Sequence, residues 1–257
     1  MEKGSIITLA TYNIWNSNEG MPTRYAHILA EIREVNPDII CLQEIKDSAM
    51  AHDMEDRLCM DCFFTNRIGE DEGIAILSSL PILEEENWMV DAHAQYAEIL
   101  YYDKTIAVVN VHFPWDSTLE RERSIVNIMK KLESKNYDYL FFLGDFNCGN
   151  NSDVIRMMLG ECTIYGTEAN PPFFDLASGY EQLSGIPAKE TLNYLNNPRF
   201  RLNTIEVNQR VDRIFVQNTY PKELPALLAS DVFGTGVYQN TNLAASDHYG
   251  VFAKVGF

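Results

Sequence analysis

Asp145 and Asn147 flank Phe146 directly after Gly144, and Asp247 and His248 stand side by side just before the last apolar run of the chain. A carboxylate and an amide separated by one residue on a turn lie side by side, the pairing that a metal-dependent phosphoryl site needs. Glu44 ends another apolar run, Asp38 to Gln43, and offers the hard carboxylate oxygen that Mg²⁺ takes alongside waters and substrate phosphate. His248 does chemistry only if another group orients its ring, and Asp212, opening the run before it, is the carboxylate placed for that task. With Asn13 and His112, these residues make a set suited to metal-assisted attack of water on a phosphoester.

Each of them lies at or just past the end of a β-like run. Thr8 to Ile14 reads as a strand that delivers Asn13. Ile28, Leu29, Ile32 and Val35 predict an amphipathic helix over residues 22–35, opened by Pro22 and stopped by Asn36-Pro37. The almost continuous apolar run to Gln43 predicts a strand buried on both faces, and a helix follows from Ser48 to Cys59. From Phe63 to Phe113 the pattern is strands between turns: Gly73 to Ser78, Ile82 to Val90, Ala97 to Tyr101 and Thr105 to His112. Ser117 with Glu120 forms a capping box before a helix carried by Ile125, Ile128, Met129 and Leu132. Tyr139 to Leu143 is a second buried strand, residues 152–159 a short helix, residues 160–208 loop-rich, and Arg210 to Gln217 and Tyr249 to Val255 the last strands. Helices interleaved with so many strands predict an α/β fold with more than one sheet.

No linker, repeat or shift in composition divides residues 1–257, which read as a single domain with 46% hydrophobic residues to fill its core. Ile6 to Ala10 is too short for a signal segment, and no apolar run reaches the roughly 18 residues of a membrane span. Five cysteines without framework spacing suit a reducing compartment, so the expectation is a soluble, cytoplasmic monomer. A net charge of −17 excludes a generic nucleic-acid coat, because nonspecific binding rests on Lys and Arg neutralising phosphates. The clusters Glu70-Asp71-Glu72 and Glu84-Glu85-Glu86 read as solvated charges. His27, His52 and His93 match no motif, and Cys59 and Cys62 form a lone Cys-x-x-Cys without a second pair. Trp15 and Trp115, each beside a motif, either line a cleft or roof the core.

Taken in order, Thr11-Tyr12-Asn13-Ile14, Leu42-Gln43-Glu44, Asn110-Val111-His112, Gly144-Asp145-Phe146-Asn147, Val211-Asp212-Arg213-Ile214-Phe215 and Ser246-Asp247-His248 resemble the motif set of the endonuclease/exonuclease/phosphatase superfamily. The segment Gly73 to Ile82 resembles its strand ending in Ser and Pro-Ile. One motif alone arises by chance; the ordered set is specific. The resemblance implies a four-layered α/β sandwich, two facing mixed β-sheets flanked by helices, with a Mg²⁺ or Mn²⁺ site at one rim. It implies Glu44 as the main metal ligand with Asp247 and Asn13 close by, and Asp145 to deprotonate or orient the attacking water. Asn147 then holds that water or a phosphate oxygen, His248 is kept cationic by Asp212, and His112 meets the phosphate or the leaving group. Either Asp145 or His248 serves as the base.

Within the family the substrate is written in the variable parts. Gln209-Arg210 before Val211 does not match the inositol polyphosphate phosphatases, and His112 stands where abasic-site endonucleases usually carry Tyr. Asp212 to Phe215, Ser246 to Gly250, Asp116 to Thr118 with Glu122-Arg123, and Thr191, Asn193 and Asn197-Pro198 are similar to the tyrosyl-DNA phosphodiesterase branch. Phe146 and Leu192 depart from its Thr and aromatic residue. The expected partner is a phosphoester on a short single-stranded nucleic-acid end, gripped by Arg121, Arg123, Arg199, Arg201 or Arg210, with no extended duplex footprint. The alternative enzyme is a sphingomyelinase-like lipid or small-molecule phosphoesterase, for which Val232, Phe233, Val237 and Tyr238 in the loop 231–243 supply an apolar rim. A non-enzymatic binding module would have lost Glu44, Asp145 or His248, and all three are present.

Overall fold

The computed structural model describes residues 5–200, 205–238 and 241–257. Along the first half run β1 (Ile6–Asn13), α1 (Thr23–Val35), β2 (Ile39–Ile45), α2 (Ser48–Leu58), β3 (Asp61–Asn66), β4 (Gly73–Ser78), β5 (Ile82–Asn87) and α3 (Met89–Ala92). The second half holds β6 (Ala94–Tyr101), β7 (Lys104–His112), α4 (Thr118–Leu132), β8 (Tyr139–Asp145), α5 (Asp153–Met158), β9 (Phe173–Asp175), α6 (Leu176–Ser184), β10 (Asp212–Gln217), β11 (Ala226–Phe233) and β12 (Gly250–Gly256).

Two six-stranded mixed sheets result, in the orders β11-β12-β1-β2-β4-β3 and β5-β6-β7-β8-β10-β9. Each contains one parallel pair whose strands are joined through a helix: β1 and β2 through α1, β7 and β8 through α4. Parallel strands finish at the same edge, so the crossovers bring Asn13 beside Gln43 in one sheet and His112 beside Asp145 in the other. Antiparallel β10 begins where β8 ends, placing Asp212 opposite Asp145. Antiparallel β12 likewise begins where β1 ends, which carries Ser246-Asp247-His248 to the same rim.

Apolar residues fill three layers. Ile7, Leu9, Ile39 and Ile76 of the first sheet meet Val108, Phe141, Leu143 and Ile214 of the second. The outer face of the first sheet packs on Ile28, Leu29 and Ile32 of α1 and Met54 of α2, and that of the second on Ile125 and Ile128 of α4 and Ile155 of α5. This is the expected four-layered sandwich. Fully buried Leu, Ile or Phe side chains each contribute roughly 1.5–3 kcal/mol, and these run through all three layers. No helix among the described residues is long and apolar enough to cross a membrane.

The structure departs from the sequence-based reading where pattern is weakest. The strand expected to reach Val90 stops at Asn87, because Trp88 opens the short α3. The stretch expected to be loop holds β9 and α6, whose first turn is capped by Asp175 Oδ1 accepting from the backbone N–H of Ala177 and Ser178. Val232 and Phe233 are not a rim loop but the end of β11, paired with β12. Phe233 is buried against the Tyr12 ring at 5.1 Å, and Tyr238 stacks on His27, which leaves Val237 exposed.

Candidate active site

Asn13, at the end of β1, spans the gap between the sheets. Its Nδ2 donates to Glu44 Oε1 at 2.9 Å and to Asp145 Oδ2 at 3.1 Å, and its Oδ1 accepts from the N–H of Trp15 at 3.0 Å. One neutral amide thereby links the carboxylates of β2 and β8. Beneath it, Gln43 donates to Thr11 Oγ1 and to Asn110 Oδ1, and Asn110 donates to the carbonyls of Leu42 and Ala75. These two motif amides are fully buried braces between the sheets, and removing either leaves partners unsatisfied at a cost of about 1–3 kcal/mol.

Gly144 is dictated by the same closeness. A Cβ there would meet the Val111 carbonyl at 2.1 Å, and its φ is +142°. Beyond it, Asp145 is 1% exposed, and its Oδ1 accepts from the N–H of Asn147 at 2.8 Å. Asn147 adopts φ 48°, a left-handed conformation that Asn tolerates, and its amide donates to Phe113 O and Asp145 Oδ2.

Two imidazoles face Asp145. His112 Nε2 and His248 Nε2 each lie 3.9 Å from Asp145 Oδ2. His248 Nδ1 is 2.9 Å from Asp212 Oδ2. Burial alone would lower the His248 pKa, but the charge and hydrogen bond of Asp212, with Asp145 and Asp247 behind it, raise it well above the ordinary value. His112 goes the other way: burial lowers its pKa despite Asp145 and Glu44, so it is neutral at neutral pH. Burial pushes Asp145 up, helped by Asp212 and opposed by the two imidazoles. Burial also raises Asp247, and the negative charge of Glu44 adds to it against His248. Glu44 would rise by burial too, but His112, the Asn13 amide and the N–H of Asn16 pull it below the ordinary value.

All eight expected residues, Asn13, Glu44, His112, Asp145, Asn147, Asp212, Asp247 and His248, therefore stand at one rim, at the ends of strands from both sheets. Asp145, Asp212 and His248 each bring one ligand atom to within 4.8 Å of the others, a cluster able to coordinate a metal ion. Thr191 Oγ1 accepts from the N–H of Val211 and Asp212, and Asn197 donates to the carbonyls of Ser246 and Asp247. The loop residues singled out in the sequence thus hold the strand ends.

Two contributors escape a sequence reading. Glu72, expected to be a solvated charge, has Oε1 3.7 Å from His112 Nδ1 and 3.2 Å from Arg67, and burial with the nearby Glu44 raises its pKa to about 7. The fold, not the acidic run, brings it inward: β4 starts at Gly73, next to β2 and its Glu44. Arg24, 1% exposed, donates to the carbonyls of Ile14, Trp15 and Ala245 and so ties the segment after Asn13 to the one before Ser246. No local signal marks it.

The arginines expected to grip a nucleic-acid end are otherwise engaged. Arg121 donates to the carbonyls of Pro114 and Trp115, Arg123 pairs with Glu120, Arg199 with Glu19, and Arg210 with Asp175. Arg201 lies outside the described residues. Trp115 is 77% exposed, while Trp15 is half-buried with the guanidinium carbons of Arg24 and Arg199 5.1 and 4.5 Å from its ring.

The sequence model of the Endonuclease/Exonuclease/phosphatase family matches residues 10–248, from the strand bearing Asn13 to His248 itself. The chain belongs to that family. A comparison with curated protein sequences gives no match. Among solved structures, the chain is similar to TDP2 of D. rerio complexed with single-strand DNA product (17% identity, 98% of this chain and 100% of that one, TM-score 0.78). It is similar to truncated TDP2 of Caenorhabditis elegans (19%, 99% and 99%, TM-score 0.74). It is also similar to a mannosyl-6-phosphatase of Bacteroides thetaiotaomicron (20%, 98% and 100%, TM-score 0.72). Family membership, with an acidic and histidine cluster able to hold a metal ion, supports a metal-dependent phosphoesterase activity in general. The fold serves relatives with different substrates, so the substrate must be read from this chain's own surface.

Proposed function

We propose that the protein is a Mg²⁺- or Mn²⁺-dependent phosphodiesterase that hydrolyses short single-stranded nucleic-acid ends, including a 5′-tyrosyl-DNA-like phosphodiester. The observation that carries the reading is Asp145, buried at the rim with a cationic and a neutral imidazole each 3.9 Å from one of its oxygens. Two hydrogen-bond donors, Asn13 and Asn147, hold that carboxylate.

The residues fit a divalent ion. Among the described residues Glu44 accepts hydrogen bonds only from amides, and the half-buried Asp247 is pushed up by desolvation and by Glu44, a like-charge repulsion that a cation relieves. Glu44 and Asp247, with Asn13 beside them, are the residues that would hold it, since His248 Nδ1 is already bonded to Asp212 Oδ2. When bound, the ion supplies Lewis acidity toward the phosphate and lowers the pKa of water. Asp145 takes the proton of the attacking water, oriented for that task by Asn147. The His248 imidazolium, kept charged by Asp212, stabilises the negative charge that builds on phosphorus-bound oxygens. Neutral His112 donates a hydrogen bond to the phosphate or the leaving oxygen.

The surface supports a short substrate. With net charge −17 and most rim arginines spent on the protein's own carbonyls and carboxylates, few cations remain to neutralise an extended duplex. The test is a panel of 5′-tyrosyl DNA, short single-stranded DNA, RNA, sphingomyelin and sugar phosphates, each with Mg²⁺, Mn²⁺ or EDTA. Metal-dependent cleavage of the short single-stranded phosphodiesters is expected. Full activity in EDTA, or a preference for sphingomyelin or sugar phosphates, overturns the reading.

A further inference from the structure

A slot of about 270 Å³ opens between the segment following β1 and the start of α2, and Glu44 forms part of its lining. Its walls are mostly apolar: Trp15, Met21, Pro22, Tyr25 and Met50. The volume is just below the roughly 300–1,000 Å³ of pockets that enclose drug-sized molecules, which suits one planar ring system rather than an acyl chain.

The slot is built rather than incidental. Trp15 and Glu44 both hold left-handed backbone, at φ 60° and 61°, a conformation unfavourable for side chains of their kind. The Trp15 N–H donates to Asn13 Oδ1, and the next N–H, of Asn16, donates to Glu44 Oε2 at 2.8 Å. The aromatic wall and the carboxylate assigned to the metal are therefore fixed to one another through Asn13 and Asn16.

Its polar groups fit a nucleotide. Lys46 lines the slot, is exposed, and has no ion-pair partner among the described residues, a free cation on a strongly acidic protein. Asp53 accepts from Tyr25 Oη at 2.7 Å and from Arg57 Nε at 2.6 Å, both through Oδ2. Its Oδ1 is left to accept from an N–H edge. A lipid tail has no use for Asp53 or Lys46, and a sugar would leave the five apolar side chains largely uncovered.

Building on the phosphodiesterase reading above, we infer that this slot takes the nucleobase of the nucleotide whose phosphate reacts. Lys46 screens the phosphate charge at its border. Ring contact then supplies the affinity that the acidic surface cannot obtain from phosphates, since base stacking on apolar and aromatic side chains is tolerant of sequence.

The experiment uses dinucleotide phosphodiesters carrying both bases, or an abasic sugar at the first or the second position, with the metal-loaded protein. Losing the ring at one of the two positions is expected to lower kcat/KM at least tenfold. In Met50→Trp, which fills the slot, that ratio should shrink to threefold or less. Met50→Ala, which cannot overpack, should reduce it to an intermediate value. Cleavage indifferent to the abasic sugar at both positions, or a base preference that neither variant alters, overturns the inference and leaves the phosphodiesterase reading intact. Calorimetry of the same compounds on Asp145→Asn separates the two: base-dependent binding that Met50→Trp abolishes, with no cleavage by wild type under any metal, supports the slot and refutes the phosphodiesterase. Base-independent binding refutes the slot.

Discussion

His112 and His248 face the same Asp145 oxygen at 3.9 Å and are 3% and 7% exposed, yet one is held neutral and the other charged. What differs is the carboxylate on the far side of each ring. Asp212 lies 2.9 Å from His248 Nδ1, within hydrogen-bond reach, and outweighs the desolvation of the cation. Glu72 lies 3.7 Å from His112 Nδ1, is shared with Arg67, and itself titrates near 7. His112 Nδ1 is left without a hydrogen-bond partner. In a dry pocket, proximity alone does not keep an imidazole charged; a hydrogen-bonded carboxylate with no competing cation does.

The contrast breaks most sharply at His248. His248→Ala should fold and lose kcat by about 10²-fold or more, the scale of a lost transition-state group; an unfolded variant or near-normal turnover refutes its role. Asp212→Asn should cost less, about tenfold at neutral pH, and should change the pH profile. A cationic His248 is present below its raised pKa and lost as pH rises through it. Without Asp212 that loss moves to lower pH, so the alkaline limb of kcat against pH should shift toward neutrality. An unmoved limb means another group sets it. On the other side, His112→Gln, which keeps a neutral donor, should retain activity within roughly tenfold of wild type, and a loss as large as that of His248→Ala would show that His112 acts as a cation.

The smallest effect belongs to Glu72, and it appears in stability. Its pKa is raised from 4.5 to about 7 by folding, so between those values the folded chain holds a proton that the unfolded chain has released. Stability from this group falls as pH rises through that window and stays low above 7. Glu72→Gln keeps the neutral form, so in EDTA its Tm should match wild type near pH 4.5 and exceed it above pH 7. A variant no more stable than wild type at pH 8 means Arg67 already neutralises Glu72.

How much of this was legible in the sequence follows the same division. The Asp212 side could be read, because Asp212 and His248 sit at the starts of clear strands and Asp145 at the end of another. Glu72 was hidden because Glu70-Asp71-Glu72 looks like any solvated acidic turn, and only the pairing of β4 with β2 turns one of the three inward. The helices α1 and α4 announced themselves through apolar periodicity and, for α4, Ser117 accepting from the Glu120 N–H. In α6 only Leu176 is buried, so it carries no comparable stripe; its start is set by Asp175, which also binds Arg210 and Arg213. Strand β11 was missed because an edge strand with alternating exposure resembles a loop with scattered apolar residues.

The reach of Asn13 across the sandwich has a mechanical consequence. Glu44, Asp247 and His248 ride on one sheet and its flanking segments; His112, Asp145, Asn147 and Asp212 ride on the other. Turnover is therefore a caliper for the spacing of two separately hydrogen-bonded slabs, closed at the rim by an amide whose two bonds are 2.9 and 3.1 Å long. Warming that loosens the apolar contact between the slabs would open the caliper while each slab keeps its own ladder of hydrogen bonds, so catalysis should fade at temperatures where the β-sheet signal is still complete.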